Sequence, residues 1–184
     1  MTLPVRYRDR FDSQYAGSRF LALAMAYGEH GSQVDKDGAP YVDHVVRVGD
    51  LAAFLAPTVL STSAAMIGYL HDIVEDTAIT LDDLKAEGFN TVIVEGVDSV
   101  SRREGESYAD LIARAAADPI GRFVKLADNR DNSCEQRLKA LDVPTQARLR
   151  RKYARARGPL ITACIEAGIE RARLALVGIT EEST

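Results

Sequence analysis

The sequence predicts an all-α fold. Apolar residues recur at intervals of three and four along most of the 184-residue chain, which is the spacing that gives a helix one buried face. The segments between these stretches carry Gly, Pro, Ser and Asn, the residues that begin and end helices. One valine-rich run alternates as a strand would. Because a lone strand has no partner for its backbone hydrogen bonds, we interpret that run as helical as well.

The first two helices are predicted from their ends. Asp12 or Ser13 can cap a helix that runs to His30, where nearby glycines end it. A polar loop follows, and a second helix is expected from Pro40 to Pro57. Both helices have an apolar stripe on one face, so they are expected to pack on a common core.

The remaining helices follow the same logic. A third begins near Thr62 or Ser63, Thr80 caps a short helix, and Asn90 caps the valine-rich one. Gly158-Pro159 is predicted to separate the last two helices, because proline removes a helical hydrogen bond. The later helices are expected at about 107–117, 119–133, 145–157 and 160–176.

Length and composition favour one ordinary globular domain over residues 1–184. Hydrophobic residues make up 46% of the chain and charged residues 27%, and the net charge of −4 does not favour nucleic acid or an anionic membrane as partner. The N-terminal residues lack an apolar signal segment, and no apolar stretch of about 18 residues occurs. We therefore expect a cytoplasmic protein.

The segment 68–77 places four ionisable groups inside an apolar stretch. They are His71, Asp72, Glu75 and Asp76, and such groups are costly there unless a metal or a reaction requires them. In a continuous helix they form two i,i+4 pairs that face the same way. This surface could hold a divalent cation and leave carboxylates to handle a bound water.

Two further polar residues complete a set of metal donors. His44 lies early in the second helix, and Asp128 interrupts an apolar helix with Asn132 four residues later. With His71 and Asp72, they offer nitrogen and oxygen donors from three separate helices. That mixture suits a borderline to hard divalent ion and differs from the thiolate set of a structural zinc site.

The order of these residues resembles the H…HD…D signature of the HD superfamily of metal-dependent phosphohydrolases. GAPYVDH ends at His44, HDIVEDT begins at His71, and VKLAD ends at Asp128. Together these segments are similar to the hydrolase domain of the RelA/SpoT family, in particular to its small single-domain alarmone hydrolases. The resemblance covers about residues 20–155.

This resemblance implies one Mn²⁺ ion, four ligands and a reaction. The implied ligands are His44, His71, Asp72 and Asp128. Glu75 and Asp76 match the acidic pair that orients and deprotonates the attacking water. The implied reaction removes the 3′-pyrophosphate of guanosine 3′,5′-bis(diphosphate), ppGpp, to give GDP. The residues alone leave the choice of base open, with Glu75 favoured for its reach.

The substrate contacts depart from the family pattern. Lys36 and Asn132 match substrate-binding positions, but Asp35 stands where the family usually has an Arg that packs on guanine. A carboxylate cannot stack as a guanidinium does, and it would repel a nearby phosphate. Two alternatives therefore stay open: an HD-domain phosphohydrolase acting on another nucleotide or NADPH, and a catalytically silent nucleotide-binding protein. The partner is in every case a phosphorylated nucleotide, and a homo-oligomer stays open.

A cationic stretch lies in the helix predicted at about 145–157. We interpret it as a solvated helix face, because charge runs usually have that role, and a polyanion site is the alternative. Its members are Arg148, Arg150, Arg151, Lys152, Arg155 and Arg157.

Overall fold

The computed structural model describes Tyr7, residues 13–35 and residues 38–180. Within these residues the regular structure is helical, apart from one isolated β-bridge between Val34 and Pro40, so the all-α prediction is confirmed. Two 3-10 turns occupy Ser13–Tyr15 and Thr58–Leu60. The α-helices described are α1 (Arg19–His30), α2 (Tyr41–Leu55), α3 (Ser61–Leu70), α4 (Ile73–Asp76), α5 (Leu81–Ala86), α6 (Thr91–Val100), α7 (Tyr108–Ala117), α8 (Gly121–Asn132), α9 (Glu135–Lys139), α10 (Val143–Glu166) and α11 (Arg171–Leu176).

The core forms where α2, α3 and α8 pack against one another. Helix α1 covers α3, and α10 packs along α8 and α7. The side chains of Leu21, Ile67, Phe123 and Leu160 are fully buried between these helices. Each burial of this kind contributes about 1.5–3 kcal/mol relative to exposure. The packing brings the polar ends of α2, α3 and α8 to one place.

Helices α2 and α3 touch through two glycines. A Cβ added to Gly68 would lie 2.5 Å from the Cα of Gly49, and one added to Gly49 would lie 2.2 Å from the Tyr69 ring. Real Cβ atoms do not approach so closely, so only glycine allows this separation of the two backbones. His44 lies five residues before Gly49 on α2, and His71 follows the last residue of α3; the centroids of their imidazole rings are 5.2 Å apart.

The predicted caps of α5 and α6 are confirmed. Thr80 forms a reciprocal capping box with Asp83, and Asn90 accepts a hydrogen bond from the backbone N–H of Ile93. Helix α6 buries Ile93 and Val97 on one face. The valine-rich run is therefore helical, because its apolar residues also meet the 3.6-residue period.

The predicted cap of the first helix is wrong. Ser18 accepts from the backbone N–H of Leu21 at 3.1 Å, so α1 begins at Arg19. Ser13 belongs to the 3-10 turn, and Asp12 lies outside the described residues. The positive φ of Gly17, +62°, reverses the chain between that turn and α1, which a helix starting at Ser13 would not allow.

The predicted break at Gly158-Pro159 is also wrong. Helix α10 continues through Pro159 as far as Glu166. A proline inside a helix costs about 3 kcal/mol. Tyr153, Ala156 and Leu160 are buried at helical spacing across this point, and their burial offsets the lost hydrogen bond.

Sequence reasoning also missed α9, a helix of five residues that is too short to show a period. No helix in the described ranges is long and apolar enough to span a membrane. The assignment of residues 1–184 to one domain stays a prediction.

Candidate metal centre

The helix that was predicted through the HD motif is interrupted. Helix α3 ends at Leu70, His71 and Asp72 form a turn, and α4 begins at Ile73. The Nδ1 of His71 lies 2.8 Å from the carbonyl oxygen of Gly68. The two i,i+4 pairs expected if the segment were one continuous helix therefore do not share a helix. The turn lets the side chains of adjacent residues 71 and 72 approach the same point.

The four predicted metal ligands converge in space. His44 comes from α2, His71 and Asp72 from the turn after α3, and Asp128 from α8. The Nε2 of His71 lies 2.8 Å from Asp72 Oδ2 and 3.8 Å from Asp128 Oδ1. The Nε2 of His44 lies 3.7 Å from Asp72 and 3.6 Å from Asp128. His44, His71 and Asp128 each offer a donor atom, and these atoms lie within 4.8 Å of one another.

The hydrogen bonds of these residues fit a metal ion. When Nδ1 of His71 donates to Gly68, Nε2 carries a lone pair, and this buried atom has no hydrogen-bond partner. The Asp72 carboxylate faces it as a second acceptor at 2.8 Å. Two acceptors at this distance repel each other unless a cation lies close to both. A divalent ion that takes two imidazole nitrogens and carboxylate oxygens would satisfy this set.

The electrostatics keep the two carboxyl groups ionised. Burial acts to raise the pKa of Asp128, but the Lys125 ammonium and the histidines outweigh burial and lower it. Burial likewise acts to raise the pKa of Asp72, but its contacts with His71 and His44 and the charge of Lys125 outweigh burial and hold that pKa well below its usual range. Lys125 Nζ lies 3.0 Å from Asp128 Oδ2, and both side chains are buried.

The environment of His44 attracts positive charge. Burial lowers its pKa, but the hydrogen bonds to Asp131 and Asp72 and the charge of Asp128 outweigh burial and raise it to about 9. The carboxylates that favour a proton on this ring would also favour a metal ion, which would displace that proton from Nε2.

A buried network behind His44 was missed by sequence reasoning. Asp131 Oδ2 lies 2.7 Å from His44 Nδ1, and its other oxygen accepts from Arg47 Nε at 2.7 Å. Arg137 contacts both Asp131 and His44, and its Nη2 lies 2.6 Å from Asp35 Oδ2. A carboxylate behind a ligating histidine commonly fixes the ring and its tautomer. The position of Asp131, three residues after Asp128, could have suggested it, whereas Arg137 gave no signal.

This network corrects the expectation for Asp35. Its side chain is 5% exposed and is paired with Arg137. Arg137 neutralises its charge there, and this offsets the repulsion of a phosphate that the sequence suggested. The neighbouring Lys36, predicted to bind substrate, lies outside the described residues.

Glu75 and Asp76 are placed differently around the cluster. Glu75 lines a cavity beside the four predicted metal ligands, and it accepts a hydrogen bond from the backbone N–H of Arg102 at 2.8 Å. Burial, together with the charges of Asp72 and Asp76, raises the pKa of Glu75. Burial and the charge of Asp72 also raise the pKa of Asp76, which does not line the cavity. Gln33 Nε2 donates to the backbone carbonyl of Asp76 at 3.2 Å.

A cavity of about 310 Å³, which we call the catalytic cleft, opens beside the cluster. Asp72, Glu75 and Asp128 supply acids to its wall, and Arg102, Lys125 and Lys152 supply cations. Asn132, the other predicted substrate contact, also lines it and donates from its amide to Asp128 Oδ1. Acids for a metal and cations for an anion therefore share one cleft.

The fold and this cluster define an all-helical domain that could hold a metal ion between histidines and aspartates of separate helices. Residues 41–143, more than half of the chain, match the model of the HD domain. The chain belongs to the HD-domain family.

The names of similar proteins support the narrower resemblance to RelA/SpoT hydrolase domains. The chain is 33% identical over 147 residues to a probable GTP pyrophosphokinase of Mycobacterium leprae, covering 76% of this chain and 18% of that protein. It is 33% identical over 149 residues to a probable guanosine-3′,5′-bis(diphosphate) 3′-pyrophosphohydrolase of Synechocystis, covering 76% and 19%. The chain thus spans under a fifth of the length of these relatives.

A solved structure has the same fold. It is a metazoan ortholog of SpoT, described as hydrolysing ppGpp, with a TM-score of 0.59 and 23% identity. The match covers 88% of this chain and 96% of that one. The resemblance to RelA/SpoT hydrolase domains is confirmed.

Proposed function

We propose that this protein is a divalent-metal-dependent phosphohydrolase that converts ppGpp to GDP and pyrophosphate. The observation that carries the proposal is the unpartnered Nε2 of buried His71, which faces carboxylate oxygens at the edge of a cleft lined with cations. Relatives named for this reaction support the choice of substrate.

The proposed ligands are His44, His71, Asp72 and Asp128, and the proposed ion is Mn²⁺. Their nitrogen and oxygen donors suit such an ion, and the buried Asp131 would hold the His44 ring in its ligating orientation. When bound, the ion lowers the pKa of water and neutralises charge on phosphoryl oxygens.

Glu75 is the proposed general base. It lines the cleft, the backbone of Arg102 holds one of its carboxylate oxygens, and its raised pKa makes it a stronger proton acceptor. Asp76 is proposed as a supporting acid, because its charge acts on Glu75 from outside the cleft wall. The proton taken from water would rest on the Glu75 carboxylate.

Cations on the cleft wall are proposed to hold the substrate's phosphates. Lys125 and Lys152 lie on this wall with Asn132. Lys36, which lies outside the described residues, is proposed as a further contact because it matches a substrate-binding position of the family. Because Arg137 neutralises Asp35, that carboxylate presents no barrier to an anionic substrate. A cytoplasmic location agrees with a nucleotide substrate and stays a prediction.

The test is to incubate the purified protein with Mn²⁺ and ppGpp and to measure released pyrophosphate. Glu75→Gln should lose turnover while keeping metal affinity, whereas His71→Ala should lose both. Protein that binds no divalent ion would refute the whole proposal.

A second candidate keeps the reaction and changes the substrate. Asp35 replaces the Arg that the family uses on guanine, and the guanidinium of Arg137 is buried away from the cleft wall. Other nucleotides and NADPH should therefore be assayed beside ppGpp. Turnover of one of these without ppGpp hydrolysis would select the second candidate, and binding without turnover of any would select a silent nucleotide-binding protein.

A further inference from the structure

A second cavity lies between α7 and α10, beside the catalytic cleft. We call it the arginine groove; its volume is about 490 Å³. Its floor is apolar, with Ile112 and Ala113 from α7 and Ala156 and Pro159 from α10. Its rim carries Arg148, Arg151, Lys152 and Arg155. An apolar floor with a few charged groups is typical of small-molecule sites, and the volume falls in their usual range of about 300–1,000 Å³.

The rim arginines differ from their neighbours on the same helix. Arg150 pairs with Glu135 at 2.8 Å, and Arg157 donates to Ser133 at 2.7 Å. Arg151 and Arg155 have no carboxylate within 4.0 Å in the part of the chain that the structure describes. They are also four residues apart, a spacing at which like charges repel. The cationic stretch is thus divided into residues that are paired and residues that face the groove.

The groove and the catalytic cleft share two wall residues. Tyr108 and Lys152 line both cavities, and Lys152 Nζ lies 4.0 Å from the centre of the Tyr108 ring. Neighbouring residues on α7 separate the two sites, since Leu111 lines the cleft and Ile112 lines the groove. The groove contains none of the proposed metal ligands.

We propose that the arginine groove is a second ligand site that takes a nucleoside di- or triphosphate. Several guanidinium groups match a chain of phosphates, which arginine binds through paired hydrogen bonds. The apolar floor matches the flat face of a base. A ligand there would touch Tyr108 and Lys152, and so would contact the wall of the catalytic cleft without entering the metal centre.

The test is methyl NMR of the 184-residue chain titrated with GTP in EDTA, so that neither metal nor turnover is involved. The methyl groups of Ile112 and Ala113 report the groove, and those of Leu111 report the cleft. Saturable shifts at Ile112 and Ala113 are expected. Shifts confined to Leu111, or no shift, would overturn the proposal. The result is independent of ppGpp hydrolysis, so failure here leaves the proposed function standing.

Two variants and two simpler probes sharpen the test. Arg151→Ala with Arg155→Ala should weaken GTP binding at the groove by about tenfold or more, since both charge-assisted contacts are lost. Arg150→Ala removes one charge from the same helix outside the groove and should leave affinity within about twofold. Equal weakening by both would indicate a diffuse cationic face and overturn the proposal. Inorganic triphosphate and guanosine should each bind more weakly than GTP; triphosphate binding as tightly would overturn the assignment to a nucleotide.

Discussion

Replacing Arg137 by Met should destabilise the metal-free protein by about 3 kcal/mol. Arg137 is 8% exposed and lies between the carboxylates of Asp35 and Asp131. Removing one partner from a buried ionic network costs about 3–5 kcal/mol, because charge is left uncompensated. Asp131 keeps Arg47, so the lower end of that range applies.

The assay is urea unfolding of wild type and variant in EDTA, followed by circular dichroism. In a thermal melt, the same loss of about 3 kcal/mol would lower Tm by about 6–12 °C for a domain of this size. Arg150→Met is the matched control, because its pair with Glu135 is exposed and should contribute less than about 1 kcal/mol.

The double variant Arg137→Met with Asp35→Asn measures the contribution of the ion pair between these two residues. Neutralising Asp35 should recover about 1 kcal/mol or more of the loss, since interacting residues are not additive. If Arg137→Met cost no more than Arg150→Met, the network would hold no buried charge that depends on Arg137.

Three further predictions concern the metal centre and α1. Because the pKa of His44 is raised to about 9, its contribution to the stability of the metal-free protein is present below pH 6.5 and is lost as pH rises through about 9. Mn²⁺ competes with that proton, so calorimetry should show affinity rising from pH 6.5 to 9, and a flat profile would contradict this account. Asp131→Ala should weaken Mn²⁺ binding by about 10- to 100-fold, with Asp50→Ala, an exposed carboxylate, as control. Ser18→Ala should cost about 1 kcal/mol in urea unfolding by removing the α1 cap, whereas no loss would place the helix start elsewhere.

The sequence was most informative where residue type and chemistry coincide. His44, His71, Asp72 and Asp128 are identified by their donor atoms, and the fold brings them together from three places in the chain. Helix positions were largely predictable because each helix buries an apolar stripe.

The missed features depend on tertiary packing. Pro159 continues a helix because residues on both sides of it are buried, and no local signal shows that. The turn at His71-Asp72 contains neither Gly nor Pro, so nothing in the sequence marked it. The contact between Asp35 and Arg137 joins residues about a hundred positions apart, and their sequence context gives no sign that they meet.

The contact of Gly49 with Gly68 also bears on which cations the protein can accept. The two histidines are attached to helices whose separation is set by the absence of two methyl groups. These glycines therefore act as a spacer for the site, although neither carries a donor atom. For the proposed ion, the spacing of the donor atoms would depend partly on this backbone packing, and Gly68→Ala should widen the site and shift its relative affinity from Mn²⁺ towards the larger Ca²⁺.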